Sequence, residues 1–271
     1  MNTETGTSFA NTFLAVVDAP NSAGAWGPLI DEVGRILRLE PKVELLPCSE
    51  NGEDRIERLL SRAVSFAGPV LVLPTQRTGH VGSSARGESR WPPRNLRRVL
   101  ISSDASEVEA SGARTFRRRL RHDTVHAATL HVMTDESRPR MWEGAGHHAE
   151  AWTRELRRRH GATSDTMTIV RGAPTREIPA HADSADLVVL LWRRDARAGH
   201  GTVVRSLLES NPEIPYLLVS PEWLEASSSA EAVQPEHPGP VRDERPTPIV
   251  DRGPGRSDGS TRKPGDTGTD P

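Results

Sequence analysis

The sequence predicts an α/β protein with a parallel sheet, and three observations carry that prediction. Short apolar runs suited to buried strands alternate with longer segments whose apolar residues recur at helical spacing. The alternation occurs twice within 271 residues, on either side of a stretch rich in Gly, Pro, Ser and Arg. The strand that opens the second run, Val99-Leu-Ile-Ser102, is followed at once by an acid, Asp104, and by Ser106, which suits the start of a helix. Open α/β sheets collect ligands at the carboxyl ends of their strands, so an acid at this point is a candidate ligand contact.

Taken in order, Phe13–Val17 reads as a buried strand followed by Asp18, and Ala25–Leu39 as a helix with Trp26, Leu29, Ile30, Val33, Ile36 and Leu37 on one face. Lys42–Pro47 alternates as a second strand. Glu53–Phe66 is an amphipathic helix through Ile56, Leu59, Leu60, Ala63 and Val64, and Gly68-Pro69 stops it before a third strand, Val70–Leu73. β-α-β-α-β over so few residues argues for parallel pairing with helical crossovers. Thr75–Arg94 has the composition of a linker or a functional loop.

The second run begins at Arg97. Ser106-Glu-Val-Glu109 fits a capping box, in which Ser106 caps the helix and Glu109 reaches back. Ala113, Phe116 and Leu120 give this helix a buried face, and its last turn is basic, as the helix dipole favours. Val125–Met133 is the next strand, and Glu143–His160 a helix with Ala145, Ala149, Trp152 and Leu156 on one face. Thr166–Val170 is a strand and Thr175–Ala182 a short helix, where Pro179 costs stability outside the first turn. Leu187–Leu191 is the most apolar strand, Thr202–Leu208 a helix and Pro215–Val219 the last strand. From Glu225 onward Pro, Gly, Ser, Thr and mixed charges leave almost nothing to bury, and residues 225–271 read as a disordered tail, solvated or used for interaction.

Bulk composition narrows the function classes. A formal charge of −2 gives no field that would draw nucleic acid or an anionic membrane. The single cysteine, Cys48, makes no intrachain disulfide and suits a reducing compartment. The polar N-terminus lacks the basic start of a secretory signal, and the longest apolar run, Leu187–Trp192, is far short of the ~20 residues of a membrane span. A cytoplasmic protein without membrane or nucleic-acid partners is the expectation.

Residues Arg97–Pro221 resemble the universal stress protein family. Val99-Leu-Ile-Ser-Ser-Asp104-Ala-Ser106 resembles its first strand with acid and serine, and Leu130-His131-Val132 the end of its second. Val170-Arg-Gly172-Ala-Pro174 resembles its Gly-x-Pro turn, Ala185-Asp186-Leu-Val-Val-Leu190 its fourth strand and Ile214–Val219 its closing strand. Trp142–His160 is similar to the corresponding stretch of tandem-type members. The resemblance implies Rossmann-like units of the adenine nucleotide alpha hydrolase type, two in tandem. These are a truncated unit at 10–75, a linker at 76–96, a full unit at 97–221 and the tail at 225–271. The first unit has its own Asp18 and a Gly79-His-Val-Gly82-Ser83 start that an ordinary flexible linker explains better.

What the resemblance implies about ligands is an adenine nucleotide, ATP, over the strand ends, with Asp104 at the adenosine part and Val132 lining the base pocket. The family's phosphate loop, Gly-x2-Gly-x9-Gly-[Ser/Thr], is altered here. Trp192, Arg193, Arg194 and Asp195 follow the fourth strand, and only Gly199 and Gly201-Thr202 remain of the glycine pattern. Glycines let backbone N–H groups approach phosphate closely; Trp192 and Asp195 oppose that, while Arg193 and Arg194 offer direct pairing.

Each candidate has a plainer reading beside it. Asp104 is a ligand contact or a turn acid; Gly201-Thr202 opens an anion-favouring helix terminus, or Thr202 is simply its N-cap. His147 and His148 are adjacent, point to different sides of a helix, and suit a solvated surface better than a metal. The arginine runs 117–121 and 157–159 serve an acidic partner or a solvent-facing helix side. No Ser/His/Asp or Cys/His signature is present. The favoured function is a non-catalytic stress-associated module that senses adenine nucleotide and acts through protein contacts or self-association as a dimer. The alternatives are a slow ATPase or nucleotidyl transferase, and a nucleotide-free scaffold whose pocket Trp192 closes.

Overall fold

A computed structural model describes residues 12–17, 20–46, 52–74, 95–104, 106–120, 124–135, 137, 146–193, 199–210 and 213–233. Strands and helices alternate through most of them. The first half comprises β1 (Thr12–Val17), α1 (Pro20–Leu37), β2 (Glu40–Leu45), α2 (Gly52–Ser65) and β3 (Val70–Val72). The second comprises β4 (Arg98–Ser102), α3 (Glu107–Leu120), β5 (His126–Met133), α4 (Gly146–Arg159), β6 (Met167–Arg171), α5 (Pro174–Ala182), β7 (Leu187–Leu191), α6 (Gly199–Ser210), β8 (Tyr216–Val219) and α7 (Pro221–Val233).

The α/β class follows from this order, and the strands form one sheet, β2-β1-β3-β8-β7-β4-β5-β6. Pairing is parallel except between β3 and β8, which run antiparallel with Val70 opposite Leu218 and Val72 opposite Tyr216. The two runs of strands expected as adjacent units therefore share a single sheet. β7 and β8 are buried along their whole length, as continuous apolar strands must be when helices cover both faces.

Alternation along each strand sorts the core into two layers. Phe13, Ala15, Val17, Leu71, Ile101, Val189 and Leu217 face α1, α3 and α7, where Trp26, Phe116 and Trp223 fill the space. Leu14, Val16, Val70, Leu100, Leu130, Val188 and Leu218 face α2, α5 and α6. Both layers run across the β3–β8 junction. Arg119 on α3 ties the first layer: its guanidinium donates to the Leu37 carbonyl at the end of α1 (3.0 Å) and to Ser227 Oγ on α7 (2.8 Å), and lies over the Trp223 ring. An Arg205–Glu57 ion pair joins α6 to α2 on the other side. Asp186, before β7, accepts the Arg97 and Arg98 N–H groups at 2.8 Å and so fixes β7 beside β4.

Several sequence expectations change. The chain does not lose structure at Glu225: α7 continues to Val233, with Trp223 and Leu224 buried. Ser220 caps it by accepting the Trp223 N–H at 3.0 Å. The small residues of α7 suit a helix that lies close to its neighbour; a Cβ on Gly112 of α3 would sit 3.2 Å from the Pro221 Cβ. The rest of the expected tail, and Pro235–Pro271 as a whole, lie outside the described residues. Helix α1 begins at Pro20 rather than Ala25, a proline being tolerated where no N–H is required. Pro179 lies beyond the first turn of α5 and leaves that short helix without one backbone bond. The strand expected at 42–47 spans Glu40–Leu45 and is largely exposed. Asp18, the 79–83 glycine pattern and nearly all of the 76–96 linker lie outside the described residues. No helix among the described residues is long and apolar enough to cross a membrane.

Burial of Trp223 at the α3–α7 contact makes a quantitative expectation. Trp223→Ala removes a large core side chain together with the stacking partner of Arg119, and should destabilise the fold by about 3–5 kcal/mol. Urea unfolding monitored by circular dichroism measures this. A loss below about 1 kcal/mol would mean that α7 is peripheral.

Candidate functional site

In the second half the strand order β6-β5-β4-β7-β8 changes direction at β4. The chain moves outward through β5 and β6 and returns to the opposite side of β4 for β7 and β8. The carboxyl ends of β4 and β7 therefore diverge and open a crevice, the place where such sheets bind ligands. A cavity of about 320 Å³ lies there. Its walls are Ser102–Asp104 from β4, His131, Val132 and Thr134 from β5, Leu190–Trp192 from β7, Pro174 and Ile178 from α5, and Val203, Val204 and Leu207 from α6. Most of the lining is apolar, with a few polar groups gathered at the end of β4.

Among the predicted site residues, Asp104 and Val132 line this cavity. Gly199, Gly201, Thr202 and Arg193 are absent from its described lining, and Arg194 lies outside the described residues. Helix α6 starts at Gly199, so Thr202 belongs to its first turn and is not its N-cap. Trp192, whose N–H donates to the Val219 carbonyl at 2.9 Å, is only 7% exposed and forms part of the wall. Among the described residues no group of His, Cys, Asp and Glu is arranged to hold a metal ion.

The β4–α3 turn is held by its own side chains. Ser106 Oγ accepts the Glu109 N–H at 3.2 Å, which is half of the expected capping box. Glu109 does not complete it at Ser106. Its carboxylate accepts the Asp104 N–H at 2.6 Å, and Asp104 Oδ1 accepts the Ser106 N–H at 2.7 Å. The turn acid takes the place that Glu109 would have filled, so Asp104 has a structural duty whatever else it does.

Behind this turn lies a buried polar seam that sequence reading missed. Ser103, Glu109, Thr129, His131 and His160 are all buried. His160 ends α4, where Gly161 adopts φ +57° and the Ala162 and Gly161 N–H groups donate to the Arg157 and Arg158 carbonyls. This is a Schellman closure that needs glycine. His160 Nδ1 donates to the Leu156 carbonyl at 2.8 Å and His131 Nδ1 to the Ser103 carbonyl at 3.1 Å. Carbonyls only accept, so each neutral ring carries its proton on Nδ1 and presents Nε2 as an acceptor. Ser103 Oγ lies 3.0 Å from His160 Nε2 and 3.0 Å from the Asp104 carbonyl, two acceptors for one proton. His131 Nε2 and Thr129 Oγ1 have no hydrogen-bond partner among the described residues. The His131 ring rests against Trp152 of α4, with centroids 5.9 Å apart.

Burial pushes both histidines below their ordinary value, with partial relief from the carbonyls they bond and from Asp104; His131 lowers His160 further. The signal for this seam in the sequence was only Leu130-His131-Val132, a polar residue inside an apolar strand. The arginine runs are engaged within the chain: Arg158 and Arg159 both pair with Glu155, whose carboxyl falls to about 2, Arg117 reaches the Gly161 carbonyl across to the end of α4, and Arg119 ties α1 to α7.

No family model and no curated protein matches the chain. Several solved structures are similar to it. A functionally unknown protein from Pseudomonas aeruginosa PAO1 is 13% identical over 83% of this chain and 98% of its own, with a TM-score of 0.42. A universal stress protein from Archaeoglobus fulgidus DSM 4304 is 11% identical over 77% of this chain and 86% of its own, TM-score 0.39. A universal stress protein solved in complex with cAMP is 17% identical over 46% of this chain and 98% of its own, TM-score 0.33.

The seam predicts acid sensitivity. Above the ordinary histidine value of 6.5 both rings are neutral in the folded and unfolded chain. As pH falls through that value, the unfolded chain takes up protons that the folded seam resists, so stability declines with pH. Urea midpoints between about pH 8 and about pH 5 should fall more steeply for the natural protein than for a His131→Gln/His160→Gln variant. Equal slopes would remove the seam from the acid response.

Proposed function

We propose that this chain is a universal-stress-type module that binds the adenosine part of an adenine nucleotide and acts without catalysis, through protein contacts. The observation that carries the reading is the cavity at the β4–β7 divergence, where Asp104 and Val132 stand in one wall. These are the two residues that the family resemblance assigns to adenosine. At about 320 Å³ the cavity is at the small end of ligand pockets, which span roughly 300–1,000 Å³. A base with its ribose suits that space better than a full triphosphate.

The phosphate end supports the same emphasis. Trp192 fills the wall where backbone glycines would approach phosphate, and Gly201 and Thr202 are absent from the cavity's described lining. The scaffold alternative draws on the same tryptophan as a plug. The enzymatic alternatives gain less, because the acidic groups of the wall, Asp104 and Glu109, are engaged with turn amides.

Calorimetric titration of the natively purified protein with adenosine, AMP and ATP tests the proposal. Binding of all three is expected, with ATP within about tenfold of AMP, and Asp104→Asn should weaken each about tenfold or more, since a bond to a charged group contributes about 1.5–3 kcal/mol. The asparagine keeps an acceptor for the Ser106 amide, which separates ligand loss from turn collapse. No heat with any of them at millimolar concentration would leave the scaffold, and ATP turnover above a heat-treated control would restore the enzyme.

A further inference from the structure

The outer strand β2 is unusual in this sheet. β5, which flanks β4 as β2 flanks β1, has β6 on its far side; beyond β2 no strand is present among the described residues. β2 is exposed along most of its length, and Val43 and Leu45, at 46% and 45% exposure, are among the most exposed large apolar residues. The strand register places Val43 beside Ala15 and Leu45 beside Val17, on the α1 face of the sheet.

The free edge can be read residue by residue. The Leu46 N–H donates to the Val17 carbonyl at 2.9 Å, so even-numbered residues direct their backbone groups to β1. The odd ones, Pro41, Val43 and Leu45, direct theirs outward. An incoming antiparallel copy of the same strand must therefore pair odd residues with odd. Centring the pair on residue 42 sets Lys42 against Lys42 and Glu40 against Glu44; centring it on residue 44 sets Glu44 against Glu44. Centring it on Val43 sets Lys42 against Glu44 in both directions, at the closely spaced non-hydrogen-bonded positions where opposite charges stabilise. In that register Val43 exchanges backbone bonds with the partner's Val43. Leu45 donates to the carbonyl of the partner's Pro41, and the missing proline N–H is the one bond lost on each side. Val43, Leu45 and Pro41 then cover one another on the α1 face.

We propose that β2 is a homodimer interface, two copies pairing antiparallel with Val43 opposite Val43 so that one sheet continues through both molecules. Edge proline and lysine usually discourage pairing between sheets. Here they exclude the neighbouring registers and leave one that is self-complementary. The interface leaves the cavity untouched and stands whether or not a nucleotide binds there.

Sedimentation of the full chain from nanomolar to high micromolar concentration should show a monomer–dimer equilibrium. Lys42→Glu and Glu44→Lys should each give monomers, since each places like charges opposite one another. An equal mixture of the two should recover dimer mass, because every crossing then becomes an opposite pair. Glu44 also bonds Arg62 on α2, so thermal melts must show both variants folded. A second measurement avoids that exchange: in a Cys48→Ser background, Val43→Cys should cross-link to its own copy on oxidation, its Cα being about 5.5 Å from its mate, whereas Lys42→Cys should not. A natural protein monomeric at every concentration, a dimer indifferent to both charge variants, or self-coupling of Lys42→Cys in place of Val43→Cys would each overturn the proposal.

Discussion

The antiparallel pairing of β3 with β8 is the constraint on which the rest of the molecule depends. A parallel sheet must be covered on both faces, and its strands read as unbroken apolar runs because neither side meets water. β8, Tyr216-Leu-Leu-Val219, is such a run, fully buried on both faces and along its edge by β3. Removing the first half would strip that edge and expose the apolar ends of both layers. The first half is equally dependent: β1 and β3 present Leu14, Val16, Val70 and Val72 to a layer completed by α6. The two halves are one folding problem, and Arg119 and the Glu57–Arg205 pair close it above and below the sheet.

The same dependence explains why the halves differ in chemistry. In the second half, α5 follows β6 and brings Pro174 and Ile178 over the strand ends as a wall of the cavity. Between β2 and β3 the described residues of the first half form only α2. α2 packs on the sheet through Ile56, Leu59 and Ala63, and among the described residues no second crossover supplies a counterpart of α5. With one described crossover fewer, the first half is suited to seal β8 and has no described strand beyond β2; the second half, with both crossovers, encloses a space.

Sequence periodicity made most elements legible because burial alternates with a period that side chains must obey. Leu187–Leu191 was read without error, and β1, α2 and β4 were displaced by a residue or so. Helix α7 was not legible. After Trp223-Leu224 it presents mainly Ala and Ser, and Gly112, against which its first turn packs through Pro221 and Leu224, lies far away in sequence. The capping box was legible as a pattern but not in its partners, because Asp104 competes for the Ser106 amide at shorter range. At the site, the carboxyl end of β4 pointed to Asp104 and the family likeness to Val132. The histidine seam joins residues 57 and 28 positions apart, a proximity that no local pattern encodes.

The Ser103–Asp104 turn therefore serves two masters. Its outward side is a wall of the cavity, and its inward side holds both histidines: the Ser103 carbonyl takes the His131 proton and Ser103 Oγ meets His160. A neutral His160 needs the serine proton directed to its Nε2. A protonated one would donate to that oxygen and release the serine proton to the Asp104 carbonyl. His160 thus has a hydrogen-bonding answer to a proton, while the second nitrogen of His131 has no acceptor waiting among the described residues. Acid should act on the fold chiefly through His131, and its strain falls on the carbonyl one residue before Asp104. The feature that makes Asp104 look like a ligand contact, its place at the end of the first strand of an open sheet, is also what binds it into the turn. Any ligand it meets must share it with the Ser106 amide.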